Sequence, residues 1–139
     1  MGVARGIAGQ GTPNSFSFIN AGSGIPYYFA VKHRNSIETW TGSTPSFTSG
    51  SLSYDFTSAA SQAFGSNQVL VGSDYSFYTG DPNQDGTVDG ADNSLIDNDA
   101  FNFVSGYVPT DLNGDLSTDG TDATFSDNNA FNFIGVIRP

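Results

Sequence analysis

Two stretches place oxygen-bearing side chains at a regular spacing. In "DPNQDGTVDGAD", residues 81–92, Asp81, Asn83, Asp85, Asp89 and Asp92 stand at the first, third, fifth, ninth and twelfth of twelve positions. In "DLNGDLSTDGTD", residues 111–122, the same positions hold Asp111, Asn113, Asp115, Asp119 and Asp122. Alternate side chains in such a loop can point at one centre, and Thr87 or Ser117 at position seven can add a main-chain carbonyl. Calcium, a hard ion that takes six to eight oxygens, is the cation this pattern suits. Magnesium prefers to keep its water, and zinc asks for His or Cys, whereas the chain has one histidine and no cysteine. Two calcium sites are therefore expected. Gly86 permits the sharp turn at position six of the first loop, where the second has Leu116, and Val88 at position eight is matched by Thr118. The second site is expected to bind more weakly, because a non-glycine residue resists the left-handed backbone.

The loops belong to a longer repeat. A shift of thirty residues lays "DPNQDGTVDGADNSLIDNDAFNFV" on "DLNGDLSTDGTDATFSDNNAFNFI". Each copy reads as a loop followed by a short helix. Asp92 can cap the first helix, and Ile96, Ala100, Phe103 and Val104 recur at helical spacing. Phe125, Ala130, Phe133 and Ile134 are the counterparts in the second copy, and the two stripes are expected to face each other. Neither helix is preceded by another: "VGSDYSFYTG" reads as strand and turn, and "SGYVPT" holds Gly106 and Pro109.

Tandem loop-helix units without entering helices, and with Asp in place of Glu at position twelve, resemble a dockerin from Gly80 to about Ile137. The resemblance implies two antiparallel helices held by calcium, and docking onto a cohesin partner in secreted assemblies. It places recognition at Gly90, Ala91, Asp97, Asn98 and Asn102, and again at Gly120, Thr121, Asp127, Asn128 and Asn132. Asp97, Asn98, Asn102, Asp127, Asn128 and Asn132 are thus the expected partner surface, acidic and amidic where cellulosomal dockerins often carry hydroxyl and basic residues.

The part before the loops has another texture. "SFSFIN", "IPYYFAVKHRN", "SIETWT", "SLSYDFTSAA" and "NQVLVGSDYSFY" are aromatic or β-branched runs separated by Gly- and Ser-rich turns. In the longest run Tyr27, Phe29, Val31 and His33 share one face and Tyr28, Ala30, Lys32 and Arg34 the other, the pattern of a half-buried strand. The expected fold is mixed and mainly β: an antiparallel sandwich-like domain over 1–79, then a dockerin-like two-helix calcium module over 80–139. "PYYFAVKHRNSIETW" and "LSYDFT" resemble the end of a β-sandwich module that precedes dockerin-like pairs in large secreted bacterial proteins. That resemblance implies missing strands, and hence a sheet that accepts a strand from a neighbouring chain, with Met1 to Asn14 as the donor.

Composition narrows the function. Eleven of the fourteen acidic residues lie in residues 80–139 against the single Arg138, so a cation, not nucleic acid, is the natural partner. No stretch has the roughly 20 apolar residues of a membrane span, and "MGVARGIAGQ" lacks the apolar run of a secretory signal. A removed signal or a fragment of a longer chain is the favoured reading. One histidine, one glutamate and aspartates committed to loops leave little for catalysis, and His33 reads as a structural strand-end residue. Trp40, Tyr27 and Tyr28 could stack on a carbohydrate, which makes an accessory module of a secreted enzyme the alternative. The preferred expectation is a non-catalytic, extracellular calcium-binding module that associates with a protein partner or with copies of itself.

Overall fold

The computed structural model describes residues 15–139, so the expected donor segment Met1 to Asn14 lies outside the described residues. The chain forms two compact units, one of residues 15–27 with Thr44–Tyr54 and one of Tyr28–Ser43 with Asp55–Pro139. Among the described residues of the smaller unit the backbone pairs at isolated bridges, Ser23 with Phe47, Pro26 with Ser46 and Thr48 with Ser51. Phe47 receives Phe18 and Tyr27 edge-on, each at 6.3 Å between centroids, and the Gly22 N–H donates to the Tyr27 hydroxyl.

The larger unit holds the regular elements. Strands β1 (Ala30–His33) and β2 (Ser36–Trp40) pair antiparallel around Arg34 and Asn35, with a bulge between Val31 and His33. Burial alternates along β1 as the spacing requires: Val31 and His33 are half-buried, Ala30 and Lys32 exposed. Strands β3 (Val69–Val71) and β4 (Asp74–Ser76) form a second hairpin. The run "NQVLVGSDYSFY" is thus not one strand. It folds back at Gly72, whose φ of +65° suits a residue without Cβ. "SFSFIN" and "SLSYDFTSAA" form no strand. Among the described residues the mixed content stands, but the β part is two two-stranded hairpins, not the expected sandwich.

Helices α1 (Gly90–Phe101) and α2 (Gly120–Phe131) follow the two loops. Asp89 and Asp119 are the N-caps, and Asp92 and Asp122 stand three residues on as the return arm of a capping box. The expected cap Asp92 therefore has the reciprocal role. Both helices end alike: Phe103 and Phe133 take left-handed φ values of 55° and 54°. Their N–H groups bond Ala100 and Ala130, and those of Val104 and Ile134 bond Asp99 and Asn129, closing the helix ends in the manner of a Schellman turn.

That reversal corrects the expected stripes. Helical spacing stops at residue 101 or 131, so Phe103 and Phe133 swing outward and are 89% and 91% exposed. Ile96 is buried as expected, but Phe125 is exposed, and the residues buried in α2 are Asp122 and Ser126, the latter aligned with Ile96 by the shift of thirty.

The repeats are interleaved. The Val88 N–H donates to Ile134 and the Val136 N–H to Gly86, so the first loop is bridged by the chain leaving α2. The second loop is bridged by the chain leaving α1, through Thr118 N–H to Val104 and Gly106 N–H to Leu116. Each repeat completes the other. Side chains follow the same rule: the Thr110 hydroxyl donates to Asp99 of α1, and the Asn129 amide of α2 donates to the Thr79 carbonyl.

The interior is mostly polar. Ile37, Ala63, Val88 and Ile96 are the buried apolar side chains, whereas Asn35, Thr39, Thr41, Asp81, Asp92, Thr110, Asp111, Thr118, Asp122 and Ser126 are among the buried polar ones. Hydrogen bonding must therefore carry much of the specificity of this unit, since each such group left unpaired would cost about 1–3 kcal/mol. The hydrogen bonds also cross the position where a boundary between residues 79 and 80 was expected. The Asn35 carbonyl accepts from Gly80, Asp81 and the Thr79 hydroxyl, and the two sides lie in one unit.

Truncating Ile37, which is fully buried, to Ala should cost about 2–4 kcal/mol in a denaturant titration, because few other apolar side chains can fill the space. A second test concerns Glu38, which receives Lys32 at 2.9 Å, Arg138 at 2.8 Å and the Trp40 indole at 2.6 Å. Burial pushes its carboxyl up, but these partners outweigh burial and bring it from 4.5 down to about 2. A depressed carboxylate stabilises the fold above its unfolded pKa and loses that contribution as pH falls through the folded one. Glu38→Gln should therefore cost about 1–2 kcal/mol at pH 7, a figure reduced for the exposed Lys32 and Arg138. The difference from the parent protein should vanish between about pH 4.5 and 2 in thermal unfolding.

Candidate metal centre

The two loops are held by nearly the same hydrogen bonds. In the first, the Asp81 carboxylate accepts from Asp85 at 3.1 Å and Gly86 at 3.1 Å, and the Asp92 carboxylate accepts from Asn83 at 3.3 Å and Asp89 at 3.0 Å. In the second, Asp111 accepts from Gly114 at 2.7 Å and Leu116 at 3.3 Å, and Asp122 from Asn113 at 3.1 Å and Asp119 at 2.9 Å. The carboxylates at positions one and twelve are thus fastened to the loop's own amides. Between them, Asn83 and Asp85 bond to each other, as Asn113 and Asp115 do, and remain exposed.

Thr87 pairs with Gly135 between the bonds made by Gly86 and Val88, and Ser117 with Ser105 between those of Leu116 and Thr118. Such a non-hydrogen-bonded pair turns its own N–H and C=O away from the partner chain. The carbonyls of Thr87 and Ser117 are therefore turned away from the chain that bridges each loop. Asp89 and Asp119 each spend one carboxylate oxygen on the helix start, at 2.8 and 2.7 Å from the N–H of Ala91 and Thr121.

Electrostatics separate the loops. Asp81, Asp92, Asp111 and Asp122 are at most 1% exposed. Burial, and then the charge of Asp92, push the Asp81 carboxyl from 3.8 up to about 6, and burial raises Asp92 as well. The two acids are therefore short of positive charge. In the second loop Arg34, from the turn between β1 and β2, lies 3.5 Å from the Asp111 carboxylate and donates to the Asp111 and Val108 carbonyls at 3.0 and 2.9 Å. Its guanidinium stacks 3.9 Å above the Tyr107 ring. The neighbouring Asn35 donates its side-chain amide to the Asp111 carbonyl at 2.7 Å, while its own carbonyl accepts from Gly80 and Asp81. One residue of a hairpin turn thereby joins the starts of both loops.

Neither Arg34 nor Asn35 stood out in sequence as a site residue. His33 fits its expected structural role, with Nδ1 2.9 Å from the Asn35 side-chain oxygen. Trp40 and Tyr28 meet edge-on at 68°, with 6.5 Å between ring centroids. Asp97, Asn98, Asp127 and Asn128 on the helices, and Asn102 and Asn132 at their C-caps, are all exposed. Sequence reasoning missed their neighbours: Phe101 and Phe131 are each 83% exposed, as visible as Phe103 and Phe133.

The donors of each loop are carboxylate, amide and carbonyl oxygens, a set that suits a hard cation and offers nothing to a soft one. Among the described residues no three acidic or histidine side chains converge as a ready-made cage. The geometry accounts for this, because positions one and twelve direct oxygens at backbone amides while position five lies toward solvent. Asp85 and Asp115 would have to turn inward to complete six-fold coordination. Comparisons with family models, curated proteins and solved structures give no match to this chain, and among the described residues no helix is long and apolar enough to cross a membrane.

Backbone strain is shared between the loops in a way the sequence reading did not anticipate. Position six is Gly86 in one and Leu116, at φ 70°, in the other; position four is Gln84, at φ 61°, in the first and Gly114 in the second. At positions four and six each loop thus has one glycine and one strained residue. Gln84 is anchored by side-chain bonds to the carbonyls of Asp81 and Ser36, at 2.7 and 3.2 Å, whereas Leu116 is 55% exposed. Leu116→Gly should therefore stabilise the protein by about 0.5–1 kcal/mol, the relieved strain exceeding the added chain entropy. Gln84→Gly should instead cost about 1 kcal/mol, since it loses two bonds. Paired thermal melts of the two variants distinguish these signs.

Proposed function

We propose that this chain is a non-catalytic calcium-binding structural module, a dockerin-like loop-helix pair that acts outside the cell by associating with a protein partner or with copies of itself. The observation that carries the reading is the repetition of one donor spacing in two loops whose first and twelfth carboxylates are both buried and fastened by equivalent amides. Asp81, Asn83, Asp85, the Thr87 carbonyl, Asp89 and Asp92 would hold one ion. Asp111, Asn113, Asp115, the Ser117 carbonyl, Asp119 and Asp122 would hold the other. A bound divalent ion supplies positive charge to buried acids and draws the exposed position-five carboxylate into the loop. Its role is to set the interleaved helices in place.

Association draws support from the exposed side chains of those helices. Asp97, Asn98 and Asn102, with Asp127, Asn128 and Asn132 a repeat later, lie on the surface beside exposed Phe101 and Phe131. A rigid pair of helices presenting amides, acids and aromatic rings is suited to a protein surface, and the acidity of the region disfavours nucleic acid.

Calcium titration calorimetry should give two ions per chain, the second bound more weakly. At free calcium a hundredfold above its dissociation constant, each site should add about 2.7 kcal/mol to unfolding stability, and a chelator should remove it. No heat of binding and an unchanged melting temperature in chelator would overturn the calcium reading. Sizing and electron microscopy with and without calcium address association: calcium-dependent assemblies support a self-associating module, and a monomer in both conditions leaves a separate partner as the only form of the proposal.

A further inference from the structure

The described basic residues are divided unevenly. Lys32 and Arg138 both neutralise Glu38, and Arg34 alone reaches a metal-loop acid, Asp111. No ion pair among the described residues reaches the equivalent Asp81. Arg34 is also fixed in position. Its Nε and a terminal nitrogen donate to Val108 and Asp111, its plane covers Tyr107, its other terminal nitrogen lies 3.3 Å from His33 Nε2, and its side chain is 17% exposed. With His33 Nδ1 donating to Asn35, Nε2 is free to accept from the guanidinium. A guanidinium stays charged at any pH at which the protein is folded.

We propose that Arg34 is a built-in counter-ion of the second loop, so that this loop keeps its shape without calcium and binds it more weakly, while the first loop depends on the ion. The inference rests on the calcium reading above. Its physical basis is competition for one carboxylate: the guanidinium relieves the repulsion around Asp111 that remains unrelieved around Asp81, and a divalent ion sharing that carboxylate meets a positive charge already in place. Because each loop carries one strained residue, backbone strain does not by itself rank the two, and the placement of Arg34 does. The tip of the β1–β2 hairpin thereby makes two loops with the same donor spacing unequal.

Two measurements test this. Hydrogen exchange on the unaltered protein in chelator should leave the Leu116 and Asn113 amides protected, while the matching Gly86 and Asn83 amides lose protection at least about tenfold and regain it with calcium. Equal loss in both loops overturns the inference, and calcium that changes exchange in neither overturns the calcium reading and the inference with it. The second measurement uses Asp85→Ala, which disables the first loop at an exposed position, alone and combined with Arg34→Gln. Removing the guanidinium should tighten calcium binding to the second loop by at least about tenfold and lower the urea midpoint in chelator, whereas Arg34→Lys should keep the parental affinity. A merely structural arginine would make both quantities fall together, and an affinity in Arg34→Gln equal to or weaker than the parent's refutes the counter-ion role while leaving two calcium sites intact.

Discussion

Four buried carboxylates set the terms for the larger unit. Asp81, Asp92, Asp111 and Asp122 are withdrawn from water in a unit with few buried apolar side chains, and a buried acid is tolerated only when its oxygens are bonded or its charge is met. Backbone amides of the loops do the first, and their direction determines the loop conformation. Much of the remaining architecture follows. The amides converge only if positions four and six turn left-handed, and positions nine and twelve cap a helix at the same time as they close the loop.

The helices then have little freedom. Asp89 and Asp92, or Asp119 and Asp122, start each one, and a left-handed phenylalanine stops each one fourteen residues after its N-cap. The chain leaving each helix is thereby turned back to bridge the loop of the other repeat, which the buried Val88 and Thr118 anchor. Thr118 shows how an interior polar substitution is accommodated. Its hydroxyl meets Thr110 at 3.1 Å, and Thr110 in turn donates to Asp99 at 2.6 Å. A chain of hydrogen bonds replaces the methyl packing of valine, so the loops diverge in chemistry without diverging in shape.

The β1–β2 hairpin belongs to this arrangement. Asn35 spans the starts of both loops, Arg34 adds charge to only one, and Glu38 on the following strand gathers Lys32 and Arg138. The hairpin is thus bonded to the loop-helix pair at its tip and to the chain terminus along its side. Loop shape, the charge around each loop and hairpin position are coupled through a handful of hydrogen bonds, with Asn35 bonded to the starts of both loops.

What the residues alone determined is local and periodic. Donor spacing, the shift of thirty residues, the alternation along Val31 to His33 and the burial of Ile96 follow from side chains a few positions apart, where strand and helix geometry dictate which of them share a face. The same periodicity misled where the backbone left its regular path: at Gly72, which turned one apparent strand into a hairpin, and at Phe103 and Phe133, where a left-handed residue ended the stripe. Tertiary structure alone decided which loop receives a positive charge. Arg34 and Asp111 are separated by 77 residues, and nothing in the spacing of either announces the other. Their meeting depends on how the hairpin tip lies across two loops that only complete each other once the whole unit has folded.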